Sequence, residues 1–303
     1  MPGRHLHPIC TPAYRLHLPE HPAPLVLDSP HSGTEYPEDF GHGVELQALR
    51  DAEDTFVEDL FGETSSQGAS LLAARFPRSY IDCNRSEDDI DVSLLDGKWS
   101  EPVNQSAKTR LGKGLVWRVL DDGSPIYKRK LTPYELRTRI ERCYRPYHAC
   151  LAALIDSTHQ RFGAVWHINC HSMPSVAGPY ATEKPGLHHP DIVVGDRDGT
   201  TCGEDFRDIV VEFFRSRGWS VSVNDPYRGV EIVRRHGQPQ RGRHSLQLEI
   251  NRALYMDERT REPAPRYREF EILLGQFIAR VVSFATERTP KPGSAIERGA
   301  ELA

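Results

Sequence analysis

The sequence predicts an α/β fold, a single domain built on one mostly parallel or mixed twisted sheet with helices on both faces. Three observations predict it. Strand-like and helix-like runs alternate along the chain, the pattern that sets a sheet between helical layers. Two apolar strand-like runs, at 24–33 and 164–174, each finish in His-Ser. Open α/β sheets hold their ligands at the carboxyl ends of strands. No internal repeat or low-complexity linker divides the chain, so one domain over 1–303 with its core at about 24–286 is expected.

The bulk numbers agree. With 303 residues and 38% hydrophobic content the chain can bury a sizeable core. Lys and Arg number 38 against 43 Asp and Glu, a net −5 that is too mild to imply nucleic acid or an anionic membrane as partner. No apolar run approaches the ~18–20 residues of a membrane span. Residues 1–17 carry prolines and histidines where a signal peptide has its apolar stretch. The cysteines, Cys10, Cys83, Cys143, Cys150, Cys170 and Cys202, form no CxxC pair, which fits reduced thiols in a cytoplasmic enzyme.

In order, residues 1–23 read as an irregular lead-in, and 25–29 as a strand too apolar for a two-faced edge. The stretch 31–37 is a loop, with Gly33 supplying backbone freedom and Pro37 barring a helix. Over 44–61 the apolar positions fall at helical spacing, with a break near 51–54. A strand is expected at 69–74 and a short extended piece at 79–85. The acidic 86–96 and the glycine-punctuated 97–125 read as a long excursion outside the core, a length uncommon in loops without function. Thr132-Pro133-Tyr134-Glu135 starts a helix, with Thr as N-cap, Pro at N1 and Glu at N3. That helix heads for 162, and Pro146 should kink or split it. Strands follow at 164–170 and 191–196, then a helix at 202–217 closed by Gly218. A strand at 219–224 leads into a turn-rich loop. In 245–251, Leu246, Leu248 and Ile250 take one face and Gln247, Glu249 and Asn251 the other. A helix at 263–286 closes the fold, and 287–303 is expected to be a mobile tail.

Several residues carry candidate chemistry. His31 and His171 each follow a strand, and Asp51, Glu53 and Asp54 come about twenty residues after the first. Two imidazoles and one carboxylate, with a fourth position left to water, make up a catalytic zinc site. Such an ion lowers the pKa of bound water and polarises a carbonyl. The bare spacing also fits ordinary strand-end histidines. Of His167 and His171, one is expected to point into the mouth. Glu249, set among apolar neighbours, is the candidate general base, or else a structural carboxylate paired with Arg243 or Arg252. Asn84-Arg85 offers a carboxylate a guanidinium fork and an amide. Cys170 reads as a nucleophile or as a thiol facing the core. Residues 195–199 lack EF-hand, Walker and dinucleotide spacing and read as a turn; His188-His189 reads as an exposed loop.

Taken together, these pieces resemble the N-formylglutamate amidohydrolase family. The resemblance rests on Pro30-His31-Ser32-Gly33, the segment holding Asp54, Ile81-Asp82-Cys83-Asn84-Arg85 and Pro146-Tyr147-His148. It continues through Asn169-Cys170-His171-Ser172-Met173-Pro174, residues 195–199, Asn224-Asp225-Pro226-Tyr227 and Gln247-Leu248-Glu249-Ile250-Asn251. It covers about 24–280, in order. That family is similar in fold to the zinc exopeptidases and the aspartoacylase-like deacylases.

The resemblance implies hydrolysis of N-formyl-L-glutamate to formate and L-glutamate, the last step of one histidine-degradation route. One divalent metal ion, Zn2+, would be held by His31 and His171 with Asp54 as third ligand. Glu35 and Glu53 are the alternatives, because the carboxypeptidase-like spacing falls on Thr34. Glu249 would be the base. Arg85, helped by Asn84, would hold a substrate carboxylate, and Arg228 is the candidate for the second, since a diacid needs two cationic anchors. His148 matches a family position whose role, contact or packing, stays open. The expected partner is a small acidic N-acyl amino acid. Two other readings remain: a deacylase or carboxypeptidase-like hydrolase of another N-acyl amino acid, and a catalytically silent binding protein on this fold.

Overall fold

The computed structural model describes residues 7–179 and 184–289. The chain enters through β1 (Ile9–Cys10) and β2 (Tyr14–His17), an antiparallel pair where an irregular lead-in was expected. Alternation over four residues is too short a signal to read. β3 (Leu25–Ser29), α1 (Leu46–Arg50), α2 (Val57–Leu60) and β4 (Ser70–Ala74) follow. After α3 (Ala107–Arg110) comes α4 (Pro133–Arg139), opened by the expected capping box of Thr132 and Glu135. A π-helical turn, Ile140–Tyr144, joins it to α5 (Arg145–Phe162), so Pro146 sits in a first turn, where its missing N–H does no harm. The rest are β5 (Val165–Met173), β6 (Ile192–Gly195), α6 (Glu204–Arg215), β7 (Val221–Val223), α7 (Glu231–His236), β8 (Arg243–Asn251) and α8 (Tyr267–Arg288).

The eight strands among the described residues join one sheet in the order β1-β2-β4-β3-β5-β8-β6-β7. Its centre, β4-β3-β5-β8, is parallel; β2 and β6 attach to it antiparallel, which makes the sheet mixed. Alternation then divides the core. Trp166, Ile168 and Cys170 of β5, with Leu246, Leu248 and Ile250 of β8, pack under α6 and α8 against Phe206, Phe214, Phe277 and Val281. The opposite face carries Val26, Leu72 and Val165 under α4 and α5, with Leu136, Tyr147 and Leu151.

Two expectations fail in the middle of the chain. Residues 79–85 are not extended: Tyr80 N–H donates to Pro77 O and Arg85 N–H to Asp82 O, and the Asp82 side chain accepts from Asn84 N–H. A carboxylate that caps its own turn draws the backbone away from a ladder. Nor is the 86–125 excursion outside the core, since Ile90, Leu94, Leu95, Leu115 and Trp117 are buried in the layer below α4 and α5. Its apolar residues are scattered among polar ones without period, so the burial left no periodic trace. His189 is likewise buried, its Nδ1 2.6 Å from Pro174 O, while His188 is exposed. Of the tail, 290–303 lies outside the described residues. Among the described residues no helix is long and apolar enough to cross a membrane.

Candidate metal centre and active site

On β5 and β8 the odd-numbered residues put His167, Asn169, His171, Ser245, Gln247 and Glu249 on one face, all buried. Buried polar groups demand partners. At the base, Asp28 of β3 accepts from His167 Nε2 (2.9 Å), Asn169 Nδ2 (2.8 Å) and Tyr147 OH (2.7 Å), and Ser245 Oγ lies 2.8 Å from His167 Nδ1. Burial opposes charge on Asp28, yet the His167 hydrogen bond and charge, with Tyr147 and Asn169, hold it below the usual carboxylate range. His167 is therefore spent beneath the site. His171, four residues further along the same strand face, is the imidazole that reaches the mouth. It lies inside β5, which runs three residues past the expected end at 170.

The Asp28 contact decides the orientation of Asn169. A carboxylate can only accept, so the Asn169 NH2 faces Asp28 and its Oδ1 faces His171 Nε2, 2.7 Å away. Asn84 Nδ2 also approaches Nε2, at 3.0 Å, which would call for the other tautomer. The shorter contact wins, because Asn84 has Asn169 Oδ1 and Gln247 Oε1, each at 3.3 Å, for its two hydrogens. Nε2 of His171 thus carries the proton. The same logic applies to His31, whose Nε2 lies 2.7 Å from Asp82 Oδ1. Burial opposes ionisation of Asp82, but His31, Arg78 and Arg85 hold its carboxyl well below the ordinary range.

Both imidazoles consequently turn an unprotonated Nδ1 toward one carboxylate oxygen. Asp54 Oδ2 lies 3.0 Å from His171 Nδ1 and 3.4 Å from His31 Nδ1. The His31 nitrogen is buried without a hydrogen-bond partner. Asp54 occupies the break between α1 and α2, and its backbone N–H donates to His31 O at 3.0 Å, tying the two segments together. Burial works against its charge, yet the His171 and His31 imidazoles beside it and the Arg78 guanidinium hold it well below the ordinary range. Three lone pairs converge with no proton among them, their donor atoms all within 4.8 Å. Tetrahedral ligands at ~2.0–2.1 Å stand about 3.3 Å apart. These residues fit a divalent metal ion.

Glu35 and Glu53 do not join this cluster. Glu35 is exposed and pairs with Arg15 and Arg75; Glu53 is buried against Tyr36 OH and Arg261. Glu249 stands opposite His171 in the β5–β8 register. It pairs with neither Arg243, which goes to Asp156, nor Arg252, which goes to Asp54. Its Oε1 accepts from Gln247 Nε2 at 2.7 Å. Burial raises its carboxyl above the ordinary value, against the pull of His171 and with the push of Asp54.

His31, His171 and Glu249 open onto a cavity of about 660 Å³ that Asn84, Arg85 and Arg228 also line. Arg85 is buried and hydrogen-bonds Lys113 O and Asn84 O, both at 3.0 Å. Arg228 is largely exposed and bonded to Asp198. Asn84 is committed to its neighbours, with Oδ1 accepting from Ile232 N–H. His148 does not reach the cavity: it packs on Tyr144, its Nε2 2.9 Å from Cys83 O. Cys170 faces the apolar layer, where burial pushes its thiol pKa up and makes it a poor nucleophile. Gly33 needs space rather than freedom, since a Cβ there would lie 2.3 Å from Phe76 O.

Sequence reasoning missed Arg78 and Trp117, and named Arg252 only as a partner for Glu249. Arg78 and Arg252 approach Asp54 Oδ1 at 3.6 and 3.2 Å, and Trp117 Nε1 donates to Asp82 Oδ2 at 3.2 Å. A spacing of four between Arg78 and Asp82 was the one available signal, and it is common to many surface pairs.

The family described as N-formylglutamate amidohydrolase matches residues 23–256. The N-formylglutamate deformylase of Pseudomonas putida is 28% identical over 278 residues, 88% of this chain and 94% of its own. That of Pseudomonas aeruginosa is 30% identical over 243 residues, covering 78% and 83%. The crystal structure of N-formylglutamate amidohydrolase from Ralstonia eutropha JMP134 is similar at a TM-score of 0.88 and 46% identity, over 91% of this chain and 99% of that one. An Agrobacterium tumefaciens protein, 18% identical over 91% and 95% of the two chains, shares the fold at a TM-score of 0.65.

Proposed function

Because the chain belongs to the N-formylglutamate amidohydrolase family, we propose that it hydrolyses N-formyl-L-glutamate to formate and L-glutamate. In this reading His31, Asp54 and His171 hold one divalent metal ion, and Glu249 is the general base. The observation that carries it is the meeting of three unprotonated donors beside a buried carboxyl with a raised pKa.

When bound, the ion supplies Lewis-acid polarisation of the formyl carbonyl and makes water more acidic. Imidazole and carboxylate ligands favour Zn2+. Glu249 takes a proton from the attacking water as the new C–O bond forms at the formyl carbon. It returns that proton to the amide nitrogen as the C–N bond breaks, releasing formate and the amine of L-glutamate. Gln247 holds Oε1, which leaves Oε2 for the transfer. Arg85 suits a substrate carboxylate, because burial, with the charge of Arg78, pushes its pKa down against the pull of Asp82 and Asp89, and among the described residues it hydrogen-bonds no carboxylate. All six cysteines are unpaired, in keeping with a cytoplasmic enzyme, and both apolar layers share one sheet, in keeping with a single catalytic domain over the whole chain.

The test is formate release from N-formyl-L-glutamate, with and without chelator and after zinc is added back. Activity lost to the chelator and restored by zinc is the expected result. A protein that holds its metal and releases no formate would refute the substrate; one that works undiminished after metal removal would refute the metal.

A further inference from the structure

Among the described residues six arginines line the cavity, and their partners sort them. Arg78 pairs with Asp82 (3.1 Å), Arg252 with Asp54 (3.2 Å), Arg261 with Glu53 (2.8 Å) and Arg228 with Asp198. Each of these guanidinium groups already has an anion. Arg85 and Arg197 bond to backbone carbonyls and, among the described residues, to no carboxylate.

We propose that Arg197 is the specificity-determining second anchor, holding the substrate carboxylate that Arg85 does not; this rests on the reading of an N-acyl diacid as substrate. The placement of Arg197 is built in. β6 adjoins β8 with Gly195 opposite Gln247, the residue that holds Glu249, so the turn leaving β6 starts beside the base. A Cβ at Gly195 would lie 2.6 Å from Gly229 N, so the 226–230 loop packs directly on this turn. Arg197 N–H donates to Arg228 O at 2.8 Å and its guanidinium to Gly229 O at 3.1 Å. Its φ of 52°, followed by 58° at Asp198, is a left-handed conformation that non-glycine residues seldom adopt. Such strain concentrates where a side chain must be aimed. A planar fork aimed into the cavity and lacking an anion suits a carboxylate.

The test compares kcat/KM on three substrates for the metal-loaded wild type, Arg197→Ala and Arg197→Lys. N-formyl-L-glutamate has both carboxylates, N-formyl-L-norvaline lacks the side-chain one, and N-formyl-4-aminobutyrate lacks the α one. Arg197→Ala should lower the diacid and one monoacid by about 10–100-fold, the range of a charged hydrogen bond. It should leave the other monoacid, which lacks the carboxylate Arg197 holds, at its wild-type value, and Arg197→Lys should recover part of the loss. An equal fall on all three substrates, or no fall, overturns the proposal. Arg197→Asn, a residue type that tolerates positive φ, replaces the alanine variant if that one misfolds. Should the wild type release no formate, the substrate reading has failed, and calorimetry on glutarate and butyrate decides the anchor separately. A wild-type preference for glutarate that Arg197→Asn abolishes supports it, and no wild-type preference overturns it.

Discussion

His31 Nε2 lies 2.7 Å from Asp82 Oδ1, on the edge of the ring away from Asp54. This contact fixes the tautomer that turns Nδ1 toward the metal position, and Arg78 and Trp117 hold Asp82 in turn. Outer partners of this kind typically govern metal affinity by about 10–100-fold. Asp82→Ala should weaken zinc binding by that order, measured by competition with a chromogenic chelator. Asp82→Asn, whose amide oxygen still accepts, should lose less. Wild-type affinity in both variants would remove Asp82 from the metal site.

Glu249→Gln keeps the size of the side chain and an oxygen for Gln247, and removes the base. Turnover should fall by about 10²–10⁴-fold, the usual contribution of a positioned base, with zinc content and KM little changed. Full activity in a metal-loaded Glu249→Gln enzyme would mean that another group moves the proton.

Arg85 is 9% exposed and hydrogen-bonds only backbone carbonyls, so a substrate carboxylate bound there is desolvated and depends on it. Arg85→Ala should act mainly on KM, losing roughly 2–5 kcal/mol of binding in kcat/KM. A change within assay scatter would take Arg85 out of the substrate pocket.

Legibility in the sequence followed the range of the interactions. The capping box at Thr132 and Glu135 is complete within four residues and could be read directly. The alternation of β8 likewise foretold which of its residues enter the apolar layer. His31, Asp54 and His171 were separable from their neighbours through motif resemblance, and they do converge. What the sequence concealed is long-range. The carboxylate at Asp54 is approached by Arg252, almost two hundred positions away, and nothing local to either residue marks the pair. In the sequence Arg228 is the candidate second anchor and Arg197 only part of a turn, and the contact of Arg228 with Asp198 separates them. The excursion at 86–125 reached the core through scattered single anchors, for which no periodicity exists.

The buried histidines away from the metal predict acid sensitivity. Burial, helped by the charge of Arg235 and opposed by the Cys83 carbonyl, pushes His148 down to about 4. Burial, with the charges of His167 and His148, pushes His236 to about 3. In the unfolded chain both titrate near 6.5. Above that pH neither state binds the proton and their contribution to stability is complete. As the pH falls below about 6.5, the unfolded chain takes up protons that the folded chain refuses, and stability declines until the folded pKa values are passed. Urea unfolding between pH 7.5 and 5, with chelator present throughout so that metal loss adds nothing, should show a falling free energy. His148→Gln retains a donor for the Cys83 carbonyl and has no proton to gain, so its decline should be shallower. An identical slope in the variant would show that His148 is not among the groups that destabilise the fold in acid.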